Sequence, residues 1–135
     1  MTKRRRGSRA APRRSRHRPF DELVGVALDA IPEPFATALD EVAILIADEP
    51  TAEQLRENDL GPEDTLYGLY EGVPRTEWGA DLAPIPNRIT LFRLPLEADF
   101  ADPDDLADEV WLTVVHELAH HLGIDDARLE ELGID

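Results

Sequence analysis

From Phe20 onward apolar positions recur at helical spacing, with Phe20, Leu23, Val24, Ala27 and Leu28 on one face and the acidic pair Asp21 and Glu22 where a helix N-terminus favours negative charge. Ile31-Pro32-Glu33-Pro34 ends that helix, because proline lacks an N–H and restricts the residue before it, and one more turn of helix is predicted through Leu39. The period then changes. Glu41 to Ala47 is a short β-branched apolar run closed by Pro50, the pattern of a buried strand. Thr51 with Gln54 in capping-box position predicts a short helix ending near Asn58. Thr65 to Val73 reads as a strand whose glycines, Gly68 and Gly72, mark a bulge or a close approach to another backbone. Pro84 and Pro86 fall in a loop, and Arg88 to Leu94 alternates as a further strand. Asp102-Pro103 supplies an N-cap and a first helical residue for a long helix running to about Leu122, where Gly123 provides a stop. A short helix from Asp126 to Leu132 follows.

This order predicts an α+β fold, a small sheet packed on helices with the longest helix near the C-terminus, and the length of 135 residues suits one domain. The first eighteen residues stand apart. They hold nine Lys and Arg (Lys3, Arg4, Arg5, Arg6, Arg9, Arg13, Arg14, Arg16, Arg18), no carboxylate and almost nothing to bury, so residues 1–18 are expected to be a disordered basic arm on a domain spanning 19–135. The domain then carries five basic residues against all 29 acidic ones, a net charge of -24. Phosphate would be repelled by such a body, which excludes a nucleic-acid-binding fold and leaves the arm alone to meet nucleic acid or an acidic protein. With no cysteine there is no disulfide, no thiolate nucleophile and no sulfur-ligated zinc, so any metal must be held by His, Asp or Glu. The longest apolar run, Val42 to Ala47, is too short to cross a membrane, and the arm leads into Pro19, Phe20, Asp21 and Glu22 rather than a signal-peptide core. The expected location is the cytoplasm, with no membrane partner.

The chemistry lies in the long helix. His116-Glu117-Leu118-Ala119-His120-His121-Leu122-Gly123-Ile124-Asp125-Asp126 is a HExxH motif extended to HExxHxxGxxD. At about 100° per residue, His116 and His120 stand one turn apart on one side of a helix, so both imidazoles can reach one Zn2+ ion. Glu117 lies about 100° from His116, beside such an ion, where it can take a proton from metal-bound water as general base without being a ligand. Gly123 permits the chain to turn, and Asp126 three residues later can swing back as third ligand, with Asp125 or Glu130 as alternatives. Two His and one Asp with water in the fourth position form an open site of the catalytic kind. Chance produces the extended motif in roughly one such sequence in ten thousand, so it outweighs the reading of an ordinary amphipathic helix. On the helical wheel Leu106, Val110, Val114, Leu118 and Leu122 mark the core face, with Glu109, Thr113, His116 and His120 on the polar edge beside it; His121 falls inside the apolar arc and is expected to be packed.

Here the chain resembles a known group. Its HExxHxxGxxD motif near the C-terminus, its short length and the preceding Gly-Leu-Tyr-Glu-Gly-Val-Pro strand look like the small bacterial "minimal zincin" metallopeptidases, and the resemblance spans most of residues 20 to 135. It implies an α+β fold, zinc held by His116, His120 and Asp126, Glu117 as general base, and a peptide or unfolded protein segment as substrate. Two features depart from larger zincins: the single methionine, Met1, cannot form a methionine turn, and no oxyanion-stabilising residue stands out, leaving Tyr67, Tyr70 and Arg93 as candidates. A substrate is expected to pair in extended form with a sheet edge, for which Arg88 to Leu94 is the chosen segment. A catalytically idle metal-binding module with a zincin-like fold, or an accessory protein whose arm binds nucleic acid, are the alternatives.

Overall fold

In the computed structural model, which describes residues 2–5, 19–72 and 87–131, helix α1 (Phe20–Asp29) buries Phe20, Leu23, Val24 and Ala27 against the long helix α5 (Pro103–His121), as the helical spacing predicts. Pro32 and Pro34 separate α1 from α2 (Phe35–Leu39), whose first turn is held by the Glu33 carboxylate accepting the Thr37 N–H at 2.7 Å. Helix α3 (Ala52–Glu57) carries the predicted capping box: Gln54 N–H donates to Thr51 Oγ1 at 3.0 Å and Thr51 N–H donates to Gln54 Oε1 at 2.9 Å. Asp102 accepts the Asp104 N–H at the start of α5, and α6 (Asp126–Glu131) follows it. No helix among the described residues is long and apolar enough to cross a membrane.

The sheet has strands β2 (Ala43–Ala47), β3 (Asp64–Glu71) and β4 (Arg88–Phe92), with β1 (Thr2–Arg5) added at one side, in the order β1-β3-β4-β2. The pair β3/β4 is antiparallel with Gly68 opposite Leu91 and Glu71 opposite Arg88, while β4/β2 is parallel with Arg88 opposite Ala43. This is a mixed sheet on helices, the expected α+β class. Its main core joins α1, α2, β3, β4 and α5 through Phe35, Ile89, Leu91, Leu106, Val110, Val114 and Leu118, and a smaller cluster of Leu55, Leu60, Leu66, Leu69 and Phe92 lies under α3. Each fully buried aliphatic side chain contributes roughly 1.5–3 kcal/mol. Gly68 is a close approach to a side chain rather than to a backbone: a Cβ there would come within 2.6 Å of Thr113 Cγ2 on α5.

Four expectations are corrected. Arg88 to Leu94 is no sheet edge; β4 is central, paired on both sides, and at Arg93 the chain turns into α4 (Arg93–Asp99). Pro95 is tolerated there because it lies in the first turn, where its missing N–H has no helical partner to lose. The run before Pro50 is not a buried strand but an edge strand, with Leu45 and Ile46 exposed at 46% and 43%. Thr113, placed on the polar edge of the wheel, is fully buried beneath Gly68. Finally, residues 2–5 of the supposed structureless arm form β1, antiparallel to β3 with Thr2 opposite Gly68 and Arg5 opposite Asp64. Pairing with an open strand edge uses main-chain groups and needs no apolar side chain, which is why composition is silent about it. Residues 6–18 lie outside the described residues, as do Val73, Pro84, Pro86 and Leu132 at the other predicted elements.

Candidate metal site

Helix α5 ends as the sequence requires. Leu122 is its C-cap, Gly123 adopts φ +79°, Gly123 N–H donates to His120 O at 3.0 Å and Ile124 N–H donates to Ala119 O at 2.8 Å. This six-to-one and five-to-two pattern is a Schellman stop, and the positive φ makes glycine the residue that fits. The reversal brings the start of α6 back beside the last turn of α5. Asp125 is used there as a cap, accepting the Arg128 N–H at 2.8 Å, and Asp126 is directed at the histidines.

His116 Nε2 and His120 Nε2 each lie 3.5 Å from Asp126 Oδ1, and the two imidazole rings meet edge to face at 4.8 Å between centroids. A separation of 3.5 Å is long for a nitrogen–oxygen hydrogen bond. It matches the edge of a tetrahedron with metal–ligand bonds of 2.0–2.1 Å, about 3.3 Å. All three donor atoms fall within 4.8 Å of one another, and among the described residues no other group of His, Asp and Glu converges in this way. The donor set of two imidazoles and one carboxylate suits borderline zinc rather than magnesium or calcium. Asp125 and Glu130, the alternative third donors, stand outside the cluster. Burial holds the His116 pKa below its ordinary value, against the opposing pull of Glu117, so this imidazole keeps a lone pair available at neutral pH.

Glu117 and His121 turn the other way, into the protein, and both are fully buried. Glu117 Oε1 accepts the main-chain N–H of Tyr70 at 3.0 Å and lies 3.7 Å from His120 Nδ1. Burial alone would push its carboxyl up, but favourable contacts, the one with His120 foremost, bring it below the ordinary value and keep it ionised. His121 is packed, as expected, with Nε2 at 2.9 Å from Glu41 Oε1 and Nδ1 at 3.0 Å from the Tyr70 hydroxyl, which is itself 3.1 Å from Asn87 Oδ1. Facing a carboxylate, His121 Nε2 carries a proton, and the Tyr70 hydroxyl donates to Asn87 Oδ1.

The oxyanion candidates are otherwise engaged. Tyr67 donates its hydroxyl proton to Asp99, Arg93 bridges Asp48 and Glu97, and the Tyr70 hydroxyl belongs to the His121 cluster. What sequence reasoning missed is the main chain of Tyr70, which holds Glu117 from 47 residues away, and Glu41, which holds His121 from 80 residues away. Neither contact has a local signal; only the strand assignment around Tyr70 hinted that its backbone stood near another element.

None of the curated proteins compared with the chain matches it. The family described as zincin-like metallopeptidase does, over residues 39–134, a span that contains β2, β3, β4, α5 and the whole His116, Glu117, His120 and Asp126 constellation. The chain therefore belongs to the zincin-like metallopeptidases.

Proposed function

We propose that the protein is a zinc-dependent peptidase in which His116, His120 and Asp126 hold the metal and Glu117 is the general base. The observation that carries the reading is the convergence of those three donors within 4.8 Å of one another, with an ionised carboxylate 3.7 Å from one of the imidazoles. A bound zinc ion supplies Lewis acidity toward a substrate carbonyl and toward water. The chain's own residues do the rest. Glu117 accepts the proton of the attacking water and returns it to the departing peptide nitrogen, and its ionised state fits it to begin as the base. The Tyr70 N–H fixes one carboxylate oxygen, which sets the direction of the other. Asp126, which stands at the exposed mouth, closes the donor set from outside the helix. The substrate is a peptide or an unfolded segment, because a carbonyl has to be presented to a helix-borne site in extended form.

One observation favours the second reading, a metal-binding module without turnover: Glu117 is wholly buried, where a base needs access to water. Hydrolysis of a quenched fluorescent peptide mixture by the zinc-loaded protein separates the two. Activity that disappears with a chelator, returns with zinc and is absent in Asp126→Ala supports the peptidase. Zinc bound at one equivalent with no hydrolysis of any peptide supports the module.

A further inference from the structure

We propose that the outer edge of β3 is the peptide-binding edge of this site, that residues 2–5 of the chain occupy it as a substrate-like strand, and that the peptides admitted in their place are rich in Lys and Arg. The inference rests on the peptidase reading and names its substrate class and its self-blocking element.

Successive residues of a strand turn their main-chain groups to opposite edges, so Gly68 and Tyr70 present theirs to the same one. Gly68 is opposite Thr2 of β1. Two residues on, the Tyr70 N–H goes to Glu117. One edge of one strand thus runs from the residues of β1 straight to the general base. Among the described residues the other outer edge of the sheet belongs to β2, on the far side of β4 from β3.

The occupant is unusual for an edge strand. Thr2-Lys3-Arg4-Arg5 has no apolar side chain, so its pairing draws on main-chain hydrogen bonds and on charge, the two terms by which an edge accepts an extended basic peptide in trans. Residues 1–18 carry nine basic side chains and the rest of the chain a net charge of -24, so the attraction is built into the sequence and weakens with salt. The register shifts between Thr2 and Lys3, near the end that approaches the site, a bulge of the kind that ends or re-aims pairing at a sheet edge. β1 lies against β3 and against α5, the helix that carries the fully buried Glu117.

The polarity adds a cleavage rule. β1 is antiparallel to β3, and Thr2 is its end nearest Tyr70 and Glu117. A peptide bound in the same sense brings its upstream end to the metal ligands, so the paired, basic portion follows the cleaved bond.

The test uses the zinc-loaded full chain with Glu117→Gln in every arm, so that binding is read without turnover. The probe is a fluorescein-labelled peptide of sequence Thr-Lys-Arg-Arg-Arg-Gly-Ser-Arg. The double substitution Lys3→Pro/Arg4→Pro removes main-chain donors of both parities from β1, while Lys3→Glu/Arg4→Glu/Arg5→Glu keeps the donors and reverses the charge. Tethering at millimolar effective concentration predicts probe binding about tenfold tighter in either variant than in the chain with an intact arm. Amide exchange over residues 64–70 should be faster in the proline variant and slow again when probe is added, and a peptide with Glu in place of each Lys and Arg should not bind. Equal probe affinity in all three proteins, with unchanged exchange over 64–70, overturns the proposal. The peptidase reading fails separately: probe binding that follows the prediction while the Glu117 protein cleaves nothing upholds the edge and removes the enzyme. Cleavage without preference for basic residues after the cut removes the edge and keeps the enzyme.

Discussion

Helix α5 carries two i, i+4 pairs offset by a single residue, His116 with His120 and Glu117 with His121, and the two stripes live in different solvents. The first pair lies at the water's edge, its side chains 18% and 28% exposed, with Nε2 atoms aimed at Asp126. The second is completely buried, and its polar atoms have protein partners: the Tyr70 N–H for Glu117, and Glu41 with the Tyr70 hydroxyl for His121. A ligand must keep a lone pair open, whereas a buried polar group must be satisfied to avoid a desolvation penalty of about 1–3 kcal/mol. The same helix meets both demands because a step of about 100° crosses from cleft to core. Tyr70 touches both buried residues, one through its backbone and one through its hydroxyl, so β3 fixes the rotation of α5 and with it the aim of the exposed pair. Tyr70 is a positioning residue.

Substitutions on the two stripes should therefore fail in different ways. Glu117→Gln preserves size and can still accept from Tyr70, but it cannot take a proton from water, so peptide hydrolysis should fall by as much as about 10⁴-fold with zinc still bound at one equivalent. Loss of zinc together with activity would show that Glu117 acts as a ligand and would merge the stripes. His116→Ala should lower zinc affinity by at least about a hundredfold, more than the loss of an outer-shell partner costs, and leave the metal-free protein near its original unfolding midpoint. Competition with a chromophoric chelator reads the first quantity and thermal melting the second.

His121→Phe reverses that pattern. The aromatic volume is kept, but Glu41 and the Tyr70 hydroxyl each lose a buried partner, which should cost about 1–3 kcal/mol of stability. Tyr70→Phe removes the hydroxyl while leaving the backbone bond to Glu117, so it should cost less, about 1 kcal/mol. Denaturant midpoints measure both. If His121→Phe lowers zinc affinity as far as His116→Ala does, the buried stripe is more than a support and the contrast fails.

The exposed stripe was readable because its logic is local: His116, Glu117, His120, Gly123 and Asp126 all lie within eleven residues, and helix geometry with a glycine stop converts that spacing into a site. The capping box at Thr51 and Gln54 was readable for the same reason. Glu41, Tyr70 and His121 are joined only when three elements pack, so no window of the sequence contains them together. Strand order is equally hidden. Glu41 to Ala47 and Arg88 to Leu94 have similar apolar patterns, yet β2 is at the edge and β4 in the middle, since main-chain pairing decides position and every sequence offers the same main chain. The segment 2–5 is the extreme case, a strand among residues whose composition predicts disorder.

The smallest effect concerns a third position on α5. Glu109 lies two turns before Glu117, half-buried, and the two carboxyls are displaced in opposite directions. Burial, and after it the nearby Asp99 carboxylate, raises the Glu109 pKa above its usual 4.5, so the folded protein holds this proton more tightly than the unfolded chain. The stabilisation is complete below pH 4.5 and is lost as pH rises through the folded-state value; at neutral pH the ionised group is a net burden. For Glu117, lowered in the fold, the sign is the reverse: its contribution is present above pH 4.5 and fades as acid protonates it. Glu109→Gln deletes the burden without changing shape. Solvent screening at a half-exposed position limits the gain to about half a kcal/mol at pH 7, a rise of roughly 2 °C in the melting midpoint. Below pH 4.5 the carboxyl is protonated in both folded and unfolded chains, so the two proteins should melt together there. Midpoints that coincide at pH 7 as well would mean that water reaches Glu109 freely and that the polar edge of α5 begins before the histidines rather than at them.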